Sequence, residues 1–350
     1  MVARPRPAGK ASPKPLRKPI MLALQGGGAH GAFTWGVLDA FLEDGRLDVR
    51  AISGTSAGAM NAVVYAEGLL DGDAAAARAQ LERFWRSASR DGQHEDTVLF
   101  GNPFLKLWSG FGERVGQNMI GALPALASPY RFNPLNINPL EDFLEKEIRF
   151  EQLRSAAPCR LFIAATNVVT GKIRVFNERE LTAQMVVASA CLPLLFQAVT
   201  IDGVPYWDGG YTGNPALFPL FTVKEVDDIL LVQINPLTRE ETPRSVSDIQ
   251  DRVSEISFNA PLIGELRAIA FVSRLIEQER LPASYKRVLM HRISLHDTVK
   301  NLDAASKANT DWDFLLSLKQ AGRKAGKAWL KAHFDDLGQR ATLDLKAAIS

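Results

Sequence analysis

The chain has 350 residues, 46% of them hydrophobic, and 41 basic side chains balance 39 acidic ones to leave a net charge of +2. Such a chain can bury a large core, and its charge gives no sign of nucleic-acid binding. Two cysteines, Cys159 and Cys191, exclude a disulfide framework. No apolar run reaches the roughly 18 residues that span a bilayer, and the first apolar stretch is too short for a signal peptide, so we expect a cytoplasmic protein.

Residues 1–19 predict a disordered tail. They contain basic side chains and prolines but no acidic side chain, and this composition does not form a core. Two interpretations of the tail stay open. It either holds the protein at an anionic membrane surface as a peripheral contact, at about 1 kcal/mol per basic residue, or it only increases solubility.

A glycine-rich turn follows the first predicted strand. The strand spans residues 20–24, the turn spans residues 26–31, and a helix with an apolar face begins there. The N–H groups at a helix start have no partner within the helix and favour negative charge. We therefore expect the N–H groups of Gly26, Gly27 and Gly28 to bind an oxyanion.

A second turn, residues 54–58, has the form Gly-x-Ser-x-Gly between a predicted strand at 49–52 and a predicted helix at 60–65. A nucleophile elbow has this form, because a strained strand-to-helix turn exposes the serine oxygen and needs glycine on both flanks. Ser56 is then the nucleophile, and the N–H of Ala57 is a further oxyanion donor. The pentapeptide alone is weak evidence, since it also occurs as an ordinary tight turn.

An aspartate, Asp208, follows a predicted strand at 204–207 and precedes two glycines. A serine hydroxyl is a poor nucleophile until an acceptor takes its proton, and a carboxylate can do so when burial raises its proton affinity. The other interpretation is an aspartate that caps the turn. Because the two earlier turns are also present, we favour Asp208 as the base.

The order of these three turns resembles the patatin-like phospholipase family over about residues 20–235. Residues 188–193, Ala-Ser-Ala-Cys-Leu-Pro, are similar to the family's Ala-Ser-x-x-x-Pro segment, whereas His30 departs from the arginine or lysine of many members. The resemblance implies a three-layer α/β/α sandwich with a mostly parallel central sheet, a catalytic dyad of Ser56 and Asp208 without histidine, and neither cofactor nor metal. The supporting glycines of the three turns are Gly31, Gly54, Gly58, Gly209 and Gly210.

The resemblance also implies a reaction class. Members of the family are lipid acyl hydrolases that cleave the carboxylic ester of a phospholipid or lysophospholipid through an acyl-enzyme. Two other functions stay open for this chain. One is an esterase that acts on a storage-lipid or polyester acyl bond, and the other is a non-catalytic lipid-binding scaffold.

Two other classes of protein share parts of the pattern. Residues 26–31 also match the Gly-x-Gly-x-x-Gly fingerprint of dinucleotide-binding proteins, but the acidic residue that should end the second strand is missing, because the nearby Asp48 lies at the start of that strand. A Ser-His-Asp triad could use His291 or His296, but the elbow of that fold comes later in the chain than residue 56. We therefore interpret both histidines as structural.

The rest of the chain predicts alternating elements. The segment at 98–135 is long and apolar, and it is either a lid over the site or a packed helical insertion. A helix capped by Asn138 follows, and a C-terminal helix capped by Thr310 is also predicted. We expect an acyl hydrolase domain at 20–235 and a mainly helical extension at 236–350 that packs on it. Further elements are predicted at 74–88 (helix), 161–168 and 173–176 (strands), 229–234 (strand) and 246–280 (helix).

Overall fold

A computed structural model describes residues 17–89, 128–132, 136, 138–193, 195–239, 241–282, 285–299, 302 and 305–349. An eight-stranded mixed sheet lies between two layers of helices. Strand β1 (Lys18–Leu24) shows why both faces of the sheet are covered, because its alternate side chains enter different cores. Leu22 and Leu24 belong to one core, and Met21 and Ala23 belong to the other. The predicted α/β/α sandwich is confirmed.

The elements have the following bounds. The other strands are β2 (Leu47–Gly54), β3 (Arg160–Asn167), β4 (Ile173–Asn177), β5 (Val199–Ile201), β6 (Val204–Asp208), β7 (Asp228–Gln233) and β8 (Leu289–Ser294). The α-helices among the described residues are α1 (Gly31–Asp44), α2 (Ala57–Gly68), α3 (Ala74–Ala88), α4 (Pro129–Phe132), α5 (Pro139–Glu147), α6 (Phe150–Ala156), α7 (Ala183–Ser189), α8 (Val246–Glu277), α9 (Leu295–Thr298), α10 (Trp312–His333) and α11 (Leu345–Ile349). Short 3₁₀ helices lie at Gly28–His30, Gly209–Tyr211, Phe218–Thr222 and Ala305–Ala308.

Five of the strands form the parallel part of the sheet. Strands β3, β2, β1, β7 and β8 are neighbours in that order and pair in parallel. Strands β4, β5 and β6 are antiparallel and lie at the β3 end. A parallel strand is buried on both faces and is therefore a continuous apolar run. The six residues of β7 are all buried, as the sequence predicts for 229–234.

Strand β3 has one edge that two strands share. Residues 162 and 163 of β3 pair with β2 on this edge and with β4 on the other edge. Two residues further, Ala165 pairs with Arg174 of β4 and with Asp208 of β6. A strand can pair along only two edges, and β4 occupies one edge of β3. Strand β6 therefore occupies the edge that β2 leaves after Gly54. Asp208 therefore arrives beside the turn that follows β2.

Residues beyond 235 complete the sheet and its helical layer. Strand β8 pairs along its whole length with β7. Helix α10 crosses α1 at two facing glycines, where a Cβ on Gly36 would overlap the carbonyl of Lys319 and a Cβ on Gly322 would overlap the carbonyl of Phe33. The division of the chain at residue 235 stays a prediction, although the sheet continues past it.

Several local predictions can be compared with the structure. The helices expected at 74–88 and 246–280 are present as α3 and α8, and the Asn138 side chain caps α5 by accepting the N–H of Leu140. The predicted cap at Thr310 is wrong. Helix α10 begins after Asp311, and the buried Thr310 hydroxyl has no partner among the described residues.

Two predicted segments lie wholly or partly outside the described residues. They are the tail, of which residues 1–16 are not described, and the segment at 98–135, of which only 128–132 and 136 are described. The tail ends earlier than predicted, because Lys18 already belongs to β1 and its ammonium group donates to the carbonyls of Phe334 and Leu337. None of the described helices combines the length and hydropathy that crossing a bilayer requires.

The crossing of α1 and α10 gives a test of the fold. Gly322→Ala should destabilise the protein by about 1–3 kcal/mol, since its methyl group must displace the backbone of α1. Gly264→Ala is the matched control, because this glycine also lies in a helix but has no atom near the added Cβ, and it should be neutral or stabilising. Denaturant unfolding measures both changes, and equal stability of the two variants would contradict the crossing.

Candidate active site

Ser56 lies in a strained turn between β2 and α2. Its backbone has φ 54° and ψ −121°, a conformation that costs free energy for a residue with a side chain. Glycine is required on both sides of Ser56 because other backbone atoms lie where a Cβ would be. A Cβ on Gly54 would lie 2.6 Å from the carbonyl oxygen of Gly58, and a Cβ on Gly58 would overlap the carbonyl of Leu24. The turn therefore has the geometry of a nucleophile elbow.

Asp208 ends β6 and is only 2% exposed. Its Oδ1 accepts the N–H of Gly210 at 2.7 Å, and its carbonyl oxygen accepts the hydroxyl of Thr166 at 2.8 Å. Burial raises the pKa of Asp208 to about 7, although hydrogen bonds from the Gly210 N–H and the Ser56 side chain act in the opposite direction. The structure thus brings Ser56 and Asp208 together, with no histidine between them.

The glycines that follow Asp208 also allow close packing. A Cβ on Gly209 would overlap the carbonyl of Ala164, and a Cβ on Gly210 would lie 2.6 Å from the ring of Phe258. A side chain at Gly209 would displace the end of β6 from β3, and one at Gly210 would collide with Phe258 of α8. In the first glycine turn, a Cβ on Gly31 would lie 2.7 Å from the Cβ of Ala57, so this glycine lets α1 approach the elbow.

The first glycine turn packs directly against the elbow. A Cβ on Gly26 would lie 2.7 Å from the Cβ of Ser56. The N–H of Gly26 donates to Oδ1 of Asn214 at 2.7 Å, and the carbonyl of Gly26 accepts Nδ2 of Asn235 at 2.6 Å. The prediction of Gly26 as an oxyanion donor is therefore corrected, because its N–H already has a partner.

Three N–H groups near Ser56 stay candidates for an oxyanion hole. Within the described residues, no hydrogen bond uses the N–H of Gly27, Gly28 or Ala57. Gly28 has φ 73°, which favours glycine, and its N–H lies at the start of a 3₁₀ helix that leads into α1. Ala57 is the first residue of α2, where N–H groups point out of the helix.

Amide side chains hold the first glycine turn in place. Gln25 Oε1 accepts the N–H groups of Ile234 and Asn235, and its Nε2 donates to Asn259 at 2.9 Å. Asn214 both accepts from and donates to Gly26. We did not predict the role of these residues from the sequence. Gln25 and Asn235 follow buried strands closely, which is a signal that could have indicated them.

A serine from the Ala-Ser segment supports the elbow from the other side. The N–H of Ser56 donates to Oγ of Ser189 at 3.0 Å. Ser189 is the last residue of α7 and is completely buried. The next turn brings Cys191 to the same place, where its carbonyl accepts the N–H of Asp208 at 2.8 Å. One short segment therefore contacts both Ser56 and Asp208.

His30 adds no positive charge to this site. The side chain is buried, and its Nε2 lies 2.8 Å from the hydroxyl of Ser306. Burial lowers the pKa of His30 well below its usual value, and the nearby Lys307 and His296 lower it further. The imidazole is therefore neutral at physiological pH.

The two histidines of a possible triad have partners other than Ser56 and Asp208. His291 lies inside β8, with Nε2 2.9 Å from the carboxylate of Asp228 and Nδ1 2.9 Å from the hydroxyl of Thr342. Asp228 begins β7 at the amino end of the parallel strands, whereas Ser56 lies beyond their carboxyl ends. His296 Nε2 faces the carbonyl of Ile234 at 3.3 Å. These contacts support the structural interpretation of both residues.

The dinucleotide interpretation also lacks support. The elbow occupies the space against Gly26 where a pyrophosphate would have to approach. At the end of β2, the hydroxyls of Ser53 and Thr55 donate to the carbonyls of Ala216 and Gly213 instead of an acidic side chain facing a ribose. In the described part of the chain, no cluster of histidine, cysteine or carboxylate side chains has the arrangement of a metal site.

The raised pKa of Asp208 gives a stability test. The folded protein holds a proton up to about pH 7 that the unfolded chain releases near pH 4, so the contribution of Asp208 to stability falls as pH rises through this window. Asp208→Asn should therefore gain stability relative to the parent between about pH 4 and 7. Unfolding free energies across this range measure the gain, with Asp202→Asn, an exposed carboxylate in a turn, as the control. A gain that does not change with pH would contradict the burial argument.

Comparisons with known proteins indicate the family of this chain. VipD from Legionella pneumophila is 16% identical, with a TM-score of 0.40, over 90% of this chain and 67% of VipD. ExoU in its complex with SpcU from Pseudomonas aeruginosa is 17% identical, with a TM-score of 0.42, over 92% of this chain and 53% of ExoU, so this chain spans about half the length of ExoU. No curated protein matches the chain. The model of the patatin-like phospholipase family matches residues 22–221. Since this match covers more than half of the chain, the protein belongs to the patatin-like phospholipase family.

Proposed function

We propose that the protein is a lipid acyl hydrolase that uses Ser56 as nucleophile and Asp208 as base. The observation that carries the proposal is the buried carboxylate of Asp208, which hydrogen-bonds the side chain of a serine in a strained elbow. Family membership supplies the substrate class, the carboxylic esters of phospholipids or lysophospholipids. Besides the lipid ester, the proposed mechanism uses water as its second reactant.

The first half of the reaction forms an acyl-enzyme. Asp208 takes the proton of the Ser56 hydroxyl while the oxygen attacks the ester carbonyl. The N–H groups of Gly27, Gly28 and Ala57 donate hydrogen bonds to the carbonyl oxygen and stabilise the negative charge that develops on it. Asp208 then returns the proton to the leaving alcohol, and the acyl group stays on Ser56.

The second half repeats these steps with water. Asp208 takes a proton from a water molecule, the hydroxide attacks the acyl-enzyme, and the proton returns to Ser56 as the fatty acid leaves. A pKa of about 7 suits both directions of proton transfer, since the group is close to half protonated at neutral pH. Burial thus supplies the basicity that an ordinary aspartate lacks.

Ser56→Ala should abolish ester hydrolysis and labelling by a fluorophosphonate probe, because the hydroxyl is the site of covalent attachment. Asp208→Asn should reduce turnover of a soluble short-chain ester by about 10³-fold or more, since an amide cannot take the serine proton. Both variants should fold, because neither changes the shape of the site.

Two control variants make this test specific. Ser155→Ala replaces an exposed serine of α6 and should label like the parent. His291→Gln should keep most of its activity per folded molecule, because His291 contacts Thr342, the ring of Trp329 and Asp228 at the amino end of β7. Labelling of Ser56→Ala, or an inactive His291→Gln that folds, would contradict the proposed pair.

The pH dependence gives a separate test. Turnover requires ionised Asp208, so kcat/KM on a soluble ester should fall about tenfold for each pH unit below about 7. Above this pH the rate should level off. Measuring kcat/KM between about pH 5 and 9 tests this dependence, because the range lies on both sides of a pKa near 7. A rate that is constant down to about pH 5 would mean that another group is the base.

A further inference from the structure

Helix α8 has two apolar faces, and only one of them packs on the sheet. Leu262, Leu266 and Ile269 are buried in the core beneath the helix. A second row of apolar side chains is exposed to solvent. We call this row the outer stripe, and its members are Val246 (72% exposed), Ile249 (45%), Val253 (57%), Ile256 (53%) and Phe271 (52%).

The side chains of the outer stripe share one face of the helix. At about 100° per residue, its five side chains lie within about 45° of a common axis. The positions between Ile256 and Phe271 on this line are Ala260, Gly264 and Arg267, which are all exposed. A single exposed apolar residue needs no explanation, but an aligned row over the length of a helix is typical of an interaction surface.

The charges of α8 are segregated with respect to the stripe. Arg267 and Arg274 lie on the same side as the stripe, and the guanidinium of Arg274 covers the ring of Phe271 at 5.4 Å. No carboxylate of the helix lies within about 90° of the stripe axis. Two carboxylates instead face the protein. Glu255 binds Arg239 and Arg252, and Glu265 accepts the N–H groups of Leu217 and Phe218.

The first half of α8 lies near the candidate active site, through the face opposite the stripe. Phe258 lies on the same helix, and its ring contacts Gly210, two residues after Asp208. The ring of Tyr211 packs against Phe258 at 5.0 Å and is 41% exposed. Helix α8 also follows β7, whose carboxyl end lies at the same end of the sheet as Ser56. The first half of α8 therefore lies at the same end of the sheet as Ser56.

We propose that the outer stripe of α8 docks on the surface of an anionic lipid bilayer. The apolar side chains enter the interface, and Arg267 and Arg274 contact the headgroups, as in helices that lie in the plane of a membrane. The absence of carboxylates from this side of the helix favours an anionic surface over a neutral one. The purpose of the docking rests on the proposed function, since it brings the protein to a surface that contains lipid esters.

Vesicle co-sedimentation of the full-length chain tests the docking. The measurements use the Ser56→Ala background, so that no lipid is hydrolysed, and phosphatidylcholine vesicles with or without phosphatidylglycerol. The double variant Val253→Glu/Ile256→Glu should weaken binding to the anionic vesicles by about tenfold or more, because it places charge in the apolar interface. Arg267→Gln/Arg274→Gln should weaken the same binding by a similar factor and leave binding to neutral vesicles unchanged.

Matched variants control for the change of side chain. Tyr285→Glu replaces a residue that is 54% exposed and lies before β8, at the opposite end of the parallel strands from Ser56. Arg179→Gln removes an exposed arginine outside α8. Both controls should bind anionic vesicles like the parent, and thermal unfolding should show that every variant folds. Stripe variants that bind like the parent would overturn the proposal, because the contact would then come from elsewhere in the chain.

Two further measurements separate the possible failures. Turnover of a soluble ester, measured with Ser56 intact, should be equal for the parent and the stripe variants. If the parent lacks this turnover, the proposed function fails and the docking result still stands on its own. If Val253→Glu/Ile256→Glu instead converts a dimer into a monomer in sedimentation velocity, the stripe is an interface between two copies and the membrane proposal is wrong.

Discussion

The chemistry of this fold depends on one edge of strand β3. Strand β2 leaves this edge after Gly54 to form the turn at Ser56, and residues 206–208 of β6 pair with the same edge. Each strand end is fixed by backbone hydrogen bonds of the sheet, so the serine and the carboxylate are placed by rigid elements rather than by long loops. The small side chains of Ala164 and Ala165 and the glycines after Asp208 allow the strands to come this close.

Burial and a neutral environment together keep the pKa of the Asp208 carboxylate high. Desolvation is the largest influence on the pKa of Asp208 and outweighs its two hydrogen bonds. A fixed positive charge beside the carboxylate would act in the opposite direction and make it a weaker base. The residues that hold the first glycine turn are neutral amides, Gln25, Asn214, Asn235 and Asn259, and His30 is neutral as well. The turn is thus fixed by hydrogen bonds that add no charge.

The sequence indicates those parts of the site that have a local cause. Glycine at 54 and 58 is required within a single turn, and Asp208 stands out because two glycines follow a strand. The strands β1, β3 and β7 are mostly apolar runs, so their positions in the chain could be predicted. The sequence could not predict that the Gly26 N–H donates to a side chain, because its acceptor, Asn214, is far away in the chain. The cap at Thr310 failed for a related reason, since tertiary contacts bury this residue and the helix starts after Asp311.

The segment after residue 235 contributes to the site through the same amides. Asn259 of α8 accepts from Gln25, and Gln25 in turn holds the N–H groups of Ile234 and Asn235. Ser306 is hydrogen-bonded to His30, directly before α1. Without these partners, Gln25 and His30 would be buried polar groups with unsatisfied atoms, each of which costs about 1–3 kcal/mol. The C-terminal residues therefore do more than cover the sheet, because they hold the turn against which Ser56 packs.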